Sequence, residues 1–482
     1  MLPEHTTFEQ LLEIKKAFEA NTASTGASPF VDGSSGGALS RQSLDITFVA
    51  LVSTDRDFKF LKQLPRRDVK QVIAEYNINR SHGGGWTRSS YIGQSDEPVF
   101  ADAVIQRLFA EMNYLSEGYS FNKVIETTDT VQDPEIIQSN GALRRLAESM
   151  NRAFFFGNRT VNPTMQDGFL ATVQKEDSSF VFDSRGQLLD DTTIKEMSAQ
   201  IRTQTFGVVD KLWMAPETKA LYDQNYAILG KQTVFQNAGD RDNLMLGNIV
   251  MGIADGNAYN NKIQFEDDIW LDRHKWSVPT KWDQNSKRFI EGATSDTAPA
   301  KPTVTATTVA PSVPNSKWDT SYAGSYQYRV SAGNYRMGYS EASTTATATV
   351  ASGGAIQLTM TPAAGVQTTS FAIFRNMKAG NAIMRWLDEV KANAVGTTIY
   401  TDLNENLPGT TIMILGDFNS RSNTDETRTH ILSELLPPFK TLFPYGSGNK
   451  LRTRLGMVEA YNVLQILAPS KFRVIKNVPV LA

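Results

Sequence analysis

Residues 133–158, DPEIIQSNGALRRLAESMNRAFFFGN, hold the strongest local signal in the chain. Asp133 stands where a helix N-cap belongs, and Pro134 occupies the first helical position, where its missing N–H leaves no bond unmade. Leu143, Leu146, Ala147, Met150, Ala153 and Phe154 then share one face, with Arg144, Arg145, Glu148 and Arg152 opposite. The spacing predicts one helix over 134–156, roughly 35 Å long at about 1.5 Å per residue, and Gly157 as its stop.

Upstream of that helix the pattern is thin. Phe8, Leu11, Leu12, Ile14, Ala17 and Phe18 follow helical spacing, but Asn21 to Arg41 is a polar run that cannot bury enough apolar surface to order itself. It reads as an extended arm. Thr47 to Leu64 mixes apolar residues with Asp55, Arg56, Asp57 and Lys59, so its apolar side chains need a surface to lie on. From Val69 to Asn79, Val72, Ala74, Tyr76 and Ile78 alternate with polar residues, the period of a half-exposed strand. A second strand is expected from Ala103 to Leu115. Ser81-His82-Gly83-Gly84-Gly85-Trp86 and a polar stretch to Pro98 lie between them, which predicts a long projecting two-stranded ribbon. Such a ribbon is marginal alone in water.

Downstream, helices are expected at Thr193–Thr205 and Pro216–Tyr222, with a strand at Lys211–Met214 between them. At Glu291 the composition shifts. Residues 296–405 carry only eight basic and seven acidic residues and repeat short alternating runs at Tyr326–Val330, Ala355–Met360, Phe371–Phe374 and Thr397–Tyr400. These are the marks of a small β-sandwich. Beyond Pro408 the mixed character returns, with a helix-like patch at Leu432–Leu436 and final strands at Val463–Leu467 and Phe472–Val478.

Composition excludes several classes of function. The 482 residues hold 48 Lys plus Arg and 51 Asp plus Glu, a formal charge of −3, so the chain is not built to coat nucleic-acid phosphates. There is no cysteine, hence no disulfide, thiolate metal site or cysteine nucleophile. The four histidines, at 5, 82, 274 and 430, have no neighbours at metal-ligand spacing. No stretch approaches the roughly 20 apolar residues of a membrane span. Ser81 to Gly85 lacks the Lys-Ser/Thr of a phosphate loop and reads as a flexible loop tip. Glu266, Asp267, Asp268 and Asp272 read as a solvated edge, because adjacent strand residues point to opposite faces. No catalytic, cofactor or metal site is expected, and the chain does not read as an enzyme.

Three local runs carry a resemblance. Arg152 to Asn158, followed by Asn162-Pro163 and Asp167-Gly168-Phe169, resembles the end of the spine helix in major capsid proteins of tailed phages with the Hong Kong 97 type fold. Phe206 to Glu217 is similar to that family's passage into the axial domain, and Leu467 to Val478 to its closing peripheral strand. Within 296–405, Tyr326 to Asn334 and Gly338 to Ser343 resemble the Y-x-V-x-A-x-N-x-x-G-x-S run of fibronectin type III or immunoglobulin-like modules. The resemblance implies an α+β capsid fold: N-terminal arm 1–68, extended β-loop 69–118, peripheral domain 119–190 with the spine helix 134–156, axial domain 191–292, immunoglobulin-like insertion 296–405, and the rest of both domains in 406–482.

The function so implied is self-assembly into an icosahedral shell around the genome of a tailed double-stranded DNA phage, in the virion after assembly in the host cytoplasm. Hexamers and pentamers of the chain, portal and separate scaffolding proteins, non-specifically held DNA and host-surface glycans at the insert are the implied partners, with no membrane and no cofactor. Contact candidates between subunits are Phe8, Leu11, Lys62, Arg66, Arg67, Tyr76, Trp86, Phe100 and Phe109; Arg66 and Arg67 with Lys62 form the densest basic patch. Lys70 is the candidate lysine for an isopeptide crosslink of the family's kind. An encapsulin-like cellular compartment would share the fold, and a fibronectin-module adhesin would account for the insert alone.

Overall fold

The long helix runs Pro134–Phe156, the bounds that its sequence predicts. Asp133 caps it by accepting from the Glu135 N–H at 2.9 Å. Gly157 ends it in an extended conformation, its own N–H bonded to the Ala153 carbonyl. Only glycine fits there, since a Cβ would sit 2.4 Å from the Gln166 carbonyl oxygen. The buried stripe is rotated from the expected one: Ala142, Leu146, Met150 and Phe154 point inward while Leu143 is 43 % exposed. Spacing by fours keeps this ladder against a sheet, which decides the face over residue size.

This chain, seen as a computed structural model, is described at residues 53–83, 91–95, 97, 100–127, 133–224, 252–254, 262–418, 428–446 and 452–481. The helix lies on a four-stranded sheet ordered Arg66–Asp68, His430–Leu442, Thr453–Ile466, Asn113–Asn122. The helix-like patch at Leu432–Leu436 is therefore part of a 13-residue strand, bulged around Pro437 and Pro438. Leu432 satisfies helical and strand periods alike, and the two flanking strands choose between them. A six-stranded sheet follows the order Val181–Asp183, Phe472–Val478, Thr411–Gly416, Lys211–Met214, Lys262–Asp267, Gly252–Ala254. Phe472–Val478, expected as a peripheral strand, sits inside this second sheet. Helix Asp191–Thr205 covers one face through Ile194, Met197 and Ile201, and residues 216–224 are helical as expected.

The expected ribbon exists as Ile73–Ser81 paired antiparallel with Val104–Glu111. The stretch 103–115 is not one strand: it breaks at buried Met112, whose N–H bonds the Val72 carbonyl, and Asn113–Asn122 then joins the four-stranded sheet. A second, smaller hairpin pairs Thr280–Asp283 with Arg288–Glu291.

Residues 303–402 form a two-sheet sandwich around one core. Thr303–Val309, Ala355–Thr361 and Thr398–Asp402 make one sheet; Gly338–Tyr339, Gly324–Asn334, Ser370–Asn376 and Met384–Lys391, with Ala346–Val350 on the longest strand, make the other. Trp318, Tyr328, Leu358 and Phe371 fill the space between them. The connectivity is not the immunoglobulin one, in which the first two strands share a sheet. Here the first strand pairs with Ala355–Thr361, and the second lies in the opposite sheet. The likeness to immunoglobulin and fibronectin modules holds for the layers, not for the chain order.

Candidate assembly surface

The ribbon is packed at its foot and tied again at the far end of its paired strands, while several of its apolar side chains stay in water. Ala74, Met112 and Val463 form a small core with Ala110 and Val69. At the foot Arg159 pairs with Glu111, and at the far end of the paired strands Arg80 forms a double ion pair with Glu176 of helix Phe169–Glu176. Tyr76 is half-buried beside the Arg80–Glu176 pair, and burial raises its pKa. Along the same strands apolar side chains face solvent: Phe109 near the foot and Ile105 and Val104 at the far end are 67, 66 and 55 % exposed, and Phe100 is 90 % exposed. Apolar side chains left in water like this have burial still to gain. The Glu75–Arg107 pair beside Phe109 is 3.6 Å long and open to water, so it contributes little.

The segment before the ribbon behaves differently. Phe60 is 1 % exposed and sits among the rings of Phe154, Phe155, Phe169, Trp213 and Phe418, with centroids 4.9–6.4 Å away. For residues 53–64 the required surface is thus the chain's own core, and residues 47–52 lie outside the described residues. Asp268 fixes this plug. Its carboxylate accepts from the Phe60 N–H at 3.1 Å, the Trp270 N–H at 2.8 Å and the Asn151 amide at 3.4 Å. Burial pushes its pKa up to about 6. Asp267 binds Lys59 and Lys219, and Asp272 binds Arg152 and the Trp276 indole N–H. Of the acidic cluster expected to be a solvated edge, Asp267 and Asp268 instead hold Lys59 and Phe60, because the strand ends at Asp267 and the next residue turns inward, while Asp272 holds Arg152.

Each contact candidate now has a place. Phe8, Leu11 and Trp86 lie outside the described residues. Arg66 meets Glu434 at 3.4 Å and Arg67 donates to Ser433 and Gln465, so both are engaged within their own chain. Lys62 is exposed on the short helix Lys59–Gln63. Phe100 and Phe109 are exposed, and Tyr76 lies half-buried opposite Leu108, one pair beyond Phe109 from the foot. Lys70 is exposed at the ribbon's foot rather than on its paired strands.

The sandwich is fastened to the body at two roots that the sequence did not disclose. At one, Arg185 donates to the carbonyls of Asn404 and Lys317, while Lys317 pairs with Asp183 at 2.7 Å. Burial pushes Asp183 up, but Lys317 and Asn477 hold its pKa below the usual value. At the other, Arg273 lies 3.8 Å over the Trp386 ring, and Trp276 packs edge-on against Trp386 at 5.6 Å. Burial lowers Arg273 to about 10. Among the described residues no group of three or more His, Asp or Glu is arranged to hold a metal ion, and no helix is long and apolar enough to cross a membrane.

No family model matches the chain. Two curated relatives, each called major capsid protein, come from Staphylococcus phage S25-3 and Staphylococcus phage K; each is 23 % identical over 463 residues, covering 92 % of this chain and 91 % of its own. Among solved structures, the capsid of Gordonia phage Cozz superposes with a TM-score of 0.41 at 10 % identity, over 95 % of this chain and 96 % of that one. The SrpI encapsulin of Synechococcus elongatus superposes with a TM-score of 0.40 at 9 % identity, over 92 % and 94 %.

Proposed function

We infer that this chain is a shell-forming major capsid protein of a tailed phage, folded in the Hong Kong 97 manner: arm, extended ribbon, spine helix, and two sheet-based domains. The observation that carries the reading is co-linear likeness to phage capsid proteins along nine tenths of both chains. The physical features agree with it. A ribbon with bare Val104, Ile105 and Phe109 has its apolar burial still to make, at about 25 cal/mol per Å² removed from water. Repeating one such contact around closed symmetry turns a small energy per copy into a wall.

The work of the chain on this reading is mechanical. The helix 134–156 and its sheet stiffen the plate, Phe60 locks the root of the arm into it, and residues 1–52 with the ribbon clasp neighbours. Phe8, Leu11, Lys62, Tyr76, Trp86, Phe100 and Phe109 are the proposed contacts. Hexamers and pentamers, a portal, a scaffolding protein, packaged DNA in non-specific contact and assembly in the host cytoplasm belong to the same proposal, as do host-surface glycans for the insert and a crosslink at Lys70.

Expression of the full chain, sedimentation, and negative-stain microscopy test it. Closed icosahedral shells are the expected product, with phage DNA inside the native particle. A chain that stays monomeric at every concentration and salt overturns the reading, and uniform shells loaded with an enzyme in place of DNA would favour the encapsulin-like compartment.

A further inference from the structure

One carboxylate at the root of the sandwich holds an amine and a carboxamide together. Asp183, the last residue of strand Val181–Asp183, accepts from the Lys317 ammonium at 2.7 Å through Oδ2 and from the Asn477 side-chain amide at 2.6 Å through Oδ1. Lys317 lies between the first two strands of the sandwich, whereas Asp183 and Asn477 sit on paired strands of the six-stranded sheet. Asn477 is 4 % exposed, and its whole amide is engaged. Nδ2 also donates to the Glu405 carbonyl at 2.7 Å, and Oδ1 accepts from the Leu407 N–H at 2.8 Å. The Lys317 backbone is anchored on both sides, its N–H on the Leu403 carbonyl and its carbonyl on Arg185.

Each of these bonds has the direction that amide exchange requires. The Leu407 N–H draws electron density from the Asn477 side-chain carbonyl, where negative charge develops under nucleophilic attack. Asp183 faces both the nitrogen that must lose protons and the nitrogen that must gain them. We propose that Lys317 and Asn477 form an isopeptide bond within one chain, with Asp183 carrying protons between them. The Lys317 ammonium gives a proton to Asp183, and the freed amine attacks Asn477 Cγ. The Nζ–Cγ bond forms and the Cγ–Nδ2 bond breaks. Asp183 passes the two protons that Nζ loses to Nδ2, so that nitrogen departs as ammonium and Asp183 ends ionised. The product straps the sandwich to the plate in a chain that has no cysteine to do so by a disulfide. It joins parts of one subunit, so it is separate from the crosslink at Lys70 and does not rest on the shell reading.

The unassembled full chain, purified, held at mildly alkaline pH and then denatured, is weighed by intact mass spectrometry. Its mass is expected to fall about 17 Da below that of the sequence, one ammonia lost. Peptide mapping should give one branched peptide that carries both Lys317 and Asn477. Lys317→Arg keeps a cation beside Asp183 but has no amine to acylate, and should show the full mass of its sequence. Asp183→Asn keeps the amine and the carboxamide and should lower the linked fraction about tenfold or more. An unshifted mass in the folded wild-type chain overturns the proposal, as does a shifted mass without the branched peptide, the mark of a succinimide at an asparagine. Equal linkage in Asp183→Asn overturns the proton transfer through Asp183. The mass is read on single chains, so neither result bears on whether shells form.

Discussion

The ribbon and the sandwich are both β-structure set apart from the plate's two sheets, and they treat their apolar side chains in opposite ways. In the sandwich Tyr328, Val330, Ile356, Leu358, Met360 and Phe371 are wholly buried, and even the Arg375–Asp402 ion pair is sealed at 1 % exposure. In the ribbon only the foot is packed, and Val104, Ile105 and Phe109 are left in water. The difference follows from layer number: two facing sheets enclose a core between them, whereas two strands enclose nothing. Substitutions in the sandwich should therefore register in the isolated chain, and substitutions on the ribbon only in the particle.

The strongest test of that division is Asp402→Ala. Asp402 holds Arg375 at 2.6 Å and accepts from the Tyr328 hydroxyl at 2.8 Å, while Trp318 and Tyr326 lie over the guanidinium at 4.9 and 5.2 Å. Burial alone would lower the Arg375 pKa, but Asp402 and Tyr328 hold it above the ordinary value. Removing the carboxylate strands a buried charge, which costs about 3–5 kcal/mol. The expected outcome is loss of the sandwich's unfolding transition in calorimetry of the unassembled chain; an unchanged scan would break the comparison.

Acid separates the two regions next, because the chain's four histidines all lie outside residues 296–405. His430 is packed between Phe418 and Phe472 in the plate, and burial lowers its pKa from 6.5 to about 4. A depressed histidine pKa means the fold favours the neutral form. Its contribution is complete above pH 6.5 and falls away as the pH drops toward 4, by about 3 kcal/mol in all. Asp268 and Asp210 work in the opposite direction: burial raises each to about 6, so the fold favours their protonated forms and gains as pH falls through 6 toward 3.8. His430→Gln isolates the histidine. Denaturant titrations should show its stability relative to wild type improving between pH 7 and pH 4 by about 3 kcal/mol. A difference that does not change with pH would remove His430 as the plate's acid-sensitive group.

Elements with their own punctuation were legible in the sequence. Asp133-Pro134 and Gly157 mark both ends of the long helix, and Lys211–Met214 and Phe472–Val478 coincide with observed strands. Four of the eight sandwich strands were found because their alternation is local. Elements defined by a distant partner were not. Leu432–Leu436 becomes a strand through Arg66–Asp68 on one side and Thr453–Ile466 on the other. Asp268 became legible only when Phe60 and Asn151, 208 and 117 residues away in sequence, were placed against it. Arg66 and Arg67 looked like a patch for a neighbour because Glu434, Ser433 and Gln465 lie more than 360 residues further on.

The smallest expected effect on the chain sharpens the comparison most. Phe109 lies opposite Glu75 in the ribbon ladder and is 67 % exposed. Truncation to alanine removes little that the isolated chain has buried, so Phe109→Ala should shift its unfolding free energy by no more than about 0.5 kcal/mol. On the proposed assembly the same ring lies against a neighbour, and a fully buried phenylalanine is worth about 1.5–3 kcal/mol. Denaturant midpoints of unassembled chain and intact particle, measured side by side, should therefore agree with wild type in the first case and fall below it in the second. Equal losses in both states would place Phe109 in a core within its own subunit, and the ribbon would then resemble the sandwich after all.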